Sequence, residues 1–193
     1  MRRSNVSTLG WALATLLSVQ AATLTEPVDW AIPSLYEWSS VTPAAAFAPM
    51  DGSAPVVFDG KMWLLGRWGE NWEAGSHDQI WSSVDGETWL YQGRAPWDPR
   101  HEGGVAVFND RIWMVGGDNN QGHYQNDVWS SADGLEWEKV ADDVPWGGRA
   151  THLTTVFDDR LWVMGGQRIN ALEENPGPKL AFNDVWSRAD GET

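Results

Sequence analysis

The sequence predicts an all-β fold of repeated four-stranded antiparallel blades. Three observations carry that reading. First, the tryptophans keep a period. Trp63, Trp113 and Trp162 are 50 and 49 residues apart, Trp81, Trp129 and Trp186 are 48 and 57 apart, and Trp89 and Trp137 are 48 apart. A fixed period of this length marks a repeat architecture. Second, each repeat opens with two apolar runs around a two-residue turn, in VVFDGKMWLLGR, VAVFNDRIWMVGG and TTVFDDRLWVMGG. Asn, Asp and Gly tolerate the positive φ of a tight hairpin, so Asp59-Gly60, Asn109-Asp110 and Asp158-Asp159 read as hairpin turns. Third, polar alternation fails in Ile112–Val115. Ile112 and Met114 face one side, Trp113 and Val115 the other, and all four are apolar. Such a strand needs cover on both faces. Radially stacked blades supply it; a two-layer sandwich leaves one face polar.

The elements follow in order. In the second repeat Val105–Phe108 and Arg111–Gly117 are the first two strands, and Gly116-Gly117 ends the second where φ turns positive. The third strand is predicted over Asn126–Ser131. Asp133-Gly134 turns the chain into the fourth, Glu136–Val140, which sits in EWEKV and mixes in charges as an outer edge must. The units run over about 50–97, 98–146 and 147–193. Trp38 precedes Phe58 by 20 residues, as Trp137 precedes Phe157. Trp38–Val41 is therefore expected to be a fourth strand without its own first three, lent by the N-terminus to close a ring. The sequence stops at ADGET where the first unit reads VDGETW. Such a set does not close a ring, so a truncated frame is expected, with a full protein of about 300–350 residues. A short protein that assembles from copies is the alternative.

A unit of about 50 residues with a double glycine and downstream tryptophans matches the kelch repeat. On these residues nearly everything after residue 38 resembles the bacterial, secreted branch of the kelch family, of the type seen in the central domain of galactose oxidase. The resemblance implies a partial kelch-type β-propeller: about three blades plus an N-terminal closing strand. Galactose-oxidase-like copper enzymes on this fold need a tyrosine crosslinked to a cysteine. The sequence has no cysteine, so no such cofactor is expected, and no other. Sialic-acid mutarotases also resemble secreted kelch propellers; Arg100, Arg149 and Glu102 would be the residues concerned. The segment SVDGETW, Ser83 to Trp89, resembles the Asp-box of sialidases but lacks one residue between Asp85 and Gly86. It reads as a structural turn.

Composition sets the outer bounds. At 193 residues, 42% apolar and 21% charged, the chain is globular and at most one domain. Eleven of its 15 tryptophans fall at repeat-equivalent positions. Each buries ~150–250 Å², an upper bound of about 4–6 kcal/mol per ring at ~25 cal/mol/Å². They are read as inter-blade core, Trp97 and Trp146 excepted. Residues 1–21 read as a signal peptide: Arg2 and Arg3, the apolar run Leu9–Val19, then Val19-Gln20-Ala21. That run is too short to span a bilayer. Residues 22–37 form a lead-in with Pro27 and Pro33. Export to the periplasm or beyond is expected. Without the leader the net charge is −16, against −14 for the whole chain. A surface that acidic repels nucleic acid and anionic lipid.

Topology selects a face. The turns between strands two and three, and the links between blades, share one end of each blade. They are long and variable: Arg67–Ser76, Asp118–Gln125, Gln167–Phe182, Gln92–Gly103 and Ala141–Thr151. Variable loops on a rigid scaffold are where binding usually lives. His77, His101, His123 and His152 fall there, with Arg67, Arg94, Arg168 and the off-register aromatics Trp68, Trp72 and Tyr124. Arg100 and Arg149 each stand eight residues before a repeat phenylalanine, where the first unit has Met50. Either they clamp a ligand carboxylate near the axis, or they bond neighbouring loop carbonyls and hold the blades in register. Trp97 and Trp146 either stack on sugar rings or cap the blade junctions. The functional expectation is a binding module for carbohydrate or protein, through Arg100, Arg149, His101, His152, Trp97, Trp146, Arg67, Trp68, His123 and Tyr124. A sugar-acting enzyme with an arginine-lined pocket is the alternative.

Overall fold

The computed structural model describes residues 38–68, 78–119, 122–168 and 180–189. The leader, the lead-in, Trp72 and His77 lie outside the described residues. The chain falls into two compact units, Met1–Ser39 and Ser40–Thr193. All the described strands lie in the second.

The first sheet holds β1 (Ala54–Phe58), β2 (Lys61–Leu65), β3 (Gln79–Ser83) and β4 (Leu90–Arg94), in that order. The second repeats it with β5 (Gly104–Phe108), β6 (Arg111–Val115), β9 (Val128–Ser131) and β10 (Glu138–Ala141). Its second-to-third-strand loop carries the short pair β7 (Asp118–Asn119) and β8 (His123–Tyr124). The third sheet holds β11 (Leu153–Phe157), β12 (Arg160–Met164) and β15 (Val185–Arg188). Its loop carries β13 (Gln167–Arg168) and β14 (Leu180–Ala181). All pairings are antiparallel, and no helix occurs among the described residues. The fold is all-β and propeller-like. Trp38–Val41 forms no strand; no described strand runs beside it, and a lone strand has no ladder to hold it.

The hairpins form where the turn residues dictate. Asp59 and Gly60 have φ of 48° and 67°, Asn109 and Asp110 of 50° and 54°, Asp158 and Asp159 of 52° and 51°. The repeat tryptophan then locks each turn: the indole N–H of Trp63, Trp113 and Trp162 donates to the carbonyl of Phe58, Phe108 and Phe157, at 3.0, 2.9 and 2.8 Å. The Asp-Gly segments are turns too. Ser83 Oγ accepts from the Gly86 N–H, and Asp85 from those of Glu87 and Thr88. Ser131 and Asp133 repeat the arrangement with Gly134, Leu135 and Glu136.

The middle sheet is covered on both faces, as its unbroken apolar strand requires. Ile112, Trp113, Met114 and Val115 are all buried. Ile112 and Met114 join Trp63, Leu65, Ile80 and Trp129 in the core between the first and second sheets. Trp113 and Val115 join Phe108, Val128, Leu161 and Val163 between the second and third. Trp97 is buried in the first core, its ring edge-on to Trp129 and Trp137. The far face of the third sheet leaves Leu153, Phe157 and Val185 exposed, where their repeat counterparts Gly104, Phe108 and Val128 are buried.

A backbone seam joins the sheets on their inner side. Gly52, Glu102 and Thr151 are repeat-equivalent, and all have left-handed φ, of 59°, 53° and 55°. The Glu102 N–H donates to the Gly52 carbonyl at 2.7 Å, and the Thr151 N–H to the Glu102 carbonyl at 3.0 Å. Left-handed φ is costly for a β-branched residue such as Thr151 and persists only where its surroundings over-determine it.

Gly134 shows how tightly the junctions close. Its φ is 79°, and a Cβ there would lie 2.6 Å from the Trp63 ring of the neighbouring sheet. Gly134→Ala is expected to lower stability by about 2–4 kcal/mol through strain and overpacking. Gly60→Ala, with φ 67° but open space around its Cβ, costs about 1 kcal/mol. Chemical denaturation midpoints of the two variants read the difference.

Candidate functional site

Arg100 and Arg149 stand on the links that enter the second and third sheets, and both are about 1% exposed. Both Nη atoms of each guanidinium are engaged by the protein itself, while Arg149 Nε is buried without a partner. Arg100 donates from both Nη atoms to Asp127, at 2.6 and 3.0 Å, and from Nη1 to the Gly116 carbonyl at 3.0 Å. Arg149 does the same to Asp184, at 2.6 and 3.0 Å, and to the Gly165 carbonyl at 2.8 Å. The aspartates close the set by accepting the indole N–H of Trp129 and Trp186, both at 2.8 Å. Each cluster ties together the entry link, the end of the second strand and the start of the third. The arginines therefore hold the blade in register, and the carboxylate in the clamp is internal.

The first sheet confirms the logic by omission. Where the arginine would stand the chain has Met50, and where the aspartate would stand it has Gln79, whose Oε1 still accepts the Trp81 indole N–H at 3.1 Å. Cation and anion are present together or absent together. Sequence reasoning missed Asp127 and Asp184. An aspartate two residues before the third-strand tryptophan, only in units that also have the arginine, would have found them.

Electrostatics follow the geometry. Burial pushes the Asp127 carboxyl up, but the Arg100 guanidinium and the Trp129 N–H outweigh it and hold it below the usual carboxylate range. Arg149 and Trp186 hold Asp184 down to about 2. His152 is buried beside Gly104, where a Cβ would meet both His152 Nε2 and Thr154 Oγ1. Neither ring nitrogen makes a hydrogen bond of normal geometry. Burial and the charge of Arg149 push its pKa down to about 4, against the pull of the nearby Val115 carbonyl. This histidine is a neutral group inside a junction.

What stays near the loop face is a smaller set. His101 pairs its backbone with Asp118, N–H to carbonyl in both directions at 3.0 Å, and its ring lies 4.8 Å from that of Trp68. Trp68 is half-buried and pairs its own backbone with Asp51. Arg67 is buried, donates from Nη1 to the Ala48 carbonyl at 3.3 Å, and has its pKa lowered by burial. His123 is exposed and Tyr124 half-buried on β8. Trp146 is half-buried against Trp186. Trp97 is out of reach of a sugar ring, because the Trp129 and Trp137 rings enclose it. Among the described residues no group of three or more His, Asp or Glu stands close enough to hold a metal ion.

No family model matches the chain. A solved structure titled "Structure of YjhT" superposes with a TM-score of 0.60 over 72% of this chain and 54% of that one, at 20% identity. The likeness is one of fold. Among curated proteins, the flagellar outer-arm dynein alpha chain of Chlamydomonas reinhardtii is 24% identical over 127 residues. That match takes in 61% of this chain and 3% of the dynein chain. The chain thus spans about half of the solved structure and a small fraction of the curated relative.

Two outcomes test the buried groups. Arg100→Met leaves the half-buried Asp127 without its cation and is expected to cost up to about 3 kcal/mol. Arg100→Met with Asp127→Gln copies the Met50 and Gln79 pair and should recover most of that loss in a double-mutant cycle. The second outcome concerns pH. The folded pKa of His152 lies below the unfolded value of 6.5, so the unfolded chain binds the proton first as pH falls. Stability is then lost between about pH 6.5 and 4, by up to about 3 kcal/mol. His152→Asn should flatten that window in denaturation midpoints measured at pH 7 and 5, leaving the loss at lower pH that the aspartates cause.

Proposed function

We propose that the chain is an exported kelch-type propeller module that binds carbohydrate or protein through its loop face. One observation carries the reading: the Trp68 and His101 rings stand together, 4.8 Å apart, at the foot of two of the long loops. The half-buried Trp68 indole offers a sugar ring an apolar face, and the largely buried His101 imidazole backs it. His123 and Tyr124 belong to the same loop face. Arg100 and Arg149 support this surface from beneath by fixing the links that enter the second and third sheets. The acidic charge of −14 disfavours nucleic acid as the partner.

A sugar-acting enzyme of the mutarotase kind remains the second reading, and one observation favours it. Glu102, a half-buried carboxylate, follows His101 directly at the loop face. The internal pairing of both arginines weighs against it.

The test is a glycan array followed by calorimetry on any sugar retained. Trp68→Ala is expected to weaken binding tenfold or more while unfolding free energy falls by no more than about 1 kcal/mol; His101→Ala, at a buried ring, is expected to weaken binding and to cost about 1–3 kcal/mol of stability as well. Normal binding by both variants would remove the loop face from consideration. Anomer exchange of N-acetylneuraminic acid, followed by NMR, decides the second reading: acceleration that Glu102→Gln abolishes favours the enzyme.

A further inference from the structure

The two junctions between sheets differ at one pair of positions. At the first, β1 opens with Ala54 and the link into β5 ends in Gly103. At the second, β5 opens with Gly104 and the link into β11 ends in His152. A methyl group and a missing side chain are exchanged for a missing side chain and an imidazole. The ring sits where glycines leave room for it. A Cβ at Gly104 would lie 2.6 Å from His152 Nε2, one at Gly116 3.3 Å from its Cε1, and one at Gly166 2.8 Å from its Cβ. Those glycines come from β5 and from the ends of β6 and β12, so the almost fully buried imidazole is a plug between the second and third sheets.

Nothing around the plug balances a positive charge. Neither Nδ1 nor Nε2 has a hydrogen-bond partner, and neither does the Thr154 hydroxyl that also faces Gly104. The Val115 carbonyl is near, but in no normal hydrogen-bond geometry. The charged groups on the packed elements are committed elsewhere. Arg149, three residues back on the same link, is itself a cation and is paired with Asp184. From the second sheet Arg100 reaches the Gly116 carbonyl and is paired with Asp127. Glu102 belongs to the seam, but its side chain runs toward Gly52 of the first sheet, where a Cβ would meet its Cγ at 3.3 Å. A proton on His152 therefore makes a buried imidazolium with a guanidinium for a neighbour, and burial penalises it.

The ring has a way out. Thr151, the residue before it, is exposed and holds a left-handed φ of 55°. Its N–H closes the seam on the Glu102 carbonyl, and the Gly117 N–H donates to the Arg149 carbonyl on the same link. Relaxing the strained φ of Thr151 turns His152 toward water and breaks the seam in one movement.

We propose that His152 is a pH-operated latch: neutral, it plugs the second junction against Gly104; protonated, it leaves and frees the inner edge of the third sheet while the first junction stays closed. Selective opening of one of two junctions goes beyond an overall loss of stability on acidification. The latch stands at the other junction from the Trp68 and His101 rings, and its failure leaves the binding reading untouched.

Amide hydrogen exchange followed by NMR at pH 7 and pH 5, corrected for the chemical exchange rate, tests the latch. The Thr151 and Gly117 amides report the second junction; the Glu102 and Arg67 amides, bonded to the Gly52 and Arg100 carbonyls, report the first. Protection at Thr151 and Gly117 is expected to fall about tenfold or more between pH 7 and 5, and at Glu102 and Arg67 by less than about twofold. His152→Asn should remove the difference between the junctions. His152→Gly copies Gly103 of the first junction, should do the same, and keeps the test decisive if the asparagine variant does not fold. An equal fall at both junctions overturns the proposal, as does unchanged protection at Thr151 and Gly117, or a selective fall that persists without the histidine.

Discussion

The structure depends on a buried cation placed where three pieces of backbone must meet. A blade has four strands but only two tight turns to fix them. The link that enters it and the loop between its second and third strands are long, and nothing in their length sets where they sit. Arg100 and Arg149 fix them. One guanidinium reaches the carbonyl that ends the second strand and the carboxylate that begins the third. In water such a pair is worth little. With the cation buried and held bidentately by a half-buried carboxylate, it specifies one geometry, because any slip leaves a charge without its partner. The first sheet does without it, and there Met50 and Gln79 replace both charges at once.

The same constraint explains why the sequence left the arginines open between a ligand clamp and a device that holds the blades in register. Two arginines at equivalent positions near an axis, with tryptophans just before them, satisfy every requirement for seizing a carboxylate from solution. They satisfy the requirements for seizing one from the chain equally well. Spacing between an arginine and its own phenylalanine is visible in one unit. The partner aspartate is 27 residues on from Arg100 and 35 from Arg149, because the intervening loops differ in length. A search by fixed arginine-to-partner spacing passes over the pair, whereas the constant two-residue step from each aspartate to its third-strand tryptophan does not.

What was legible follows from locality. Hairpin turns, the doubly covered strand and the Asp-Gly turns each depend on residues within a few positions of one another, and all appear where the sequence puts them. Their side chains decide the backbone directly through positive φ, indole-to-carbonyl bonds and face alternation. The short pairs β7–β8 and β13–β14 were hidden inside loops, since two-residue strands have no period. The burial of Trp97 was open in the sequence because its position before an arginine says nothing about the rings of Trp129 and Trp137 that arrive from the next blade.

The seam through Gly52, Glu102 and Thr151 has a direction. At these residues the second sheet donates to the first and the third to the second, while the Arg67 and Gly117 N–H groups donate the other way, to the carbonyls of Arg100 and Arg149. Coupling of that kind is between nearest neighbours only, as in a one-dimensional lattice of spins. The left-handed conformation of Thr151 has meaning only when the bond from Thr151 to Glu102 exists, so strain in one blade is held by order in the blade before it. A blade that docks after its predecessor finds its backbone target already set.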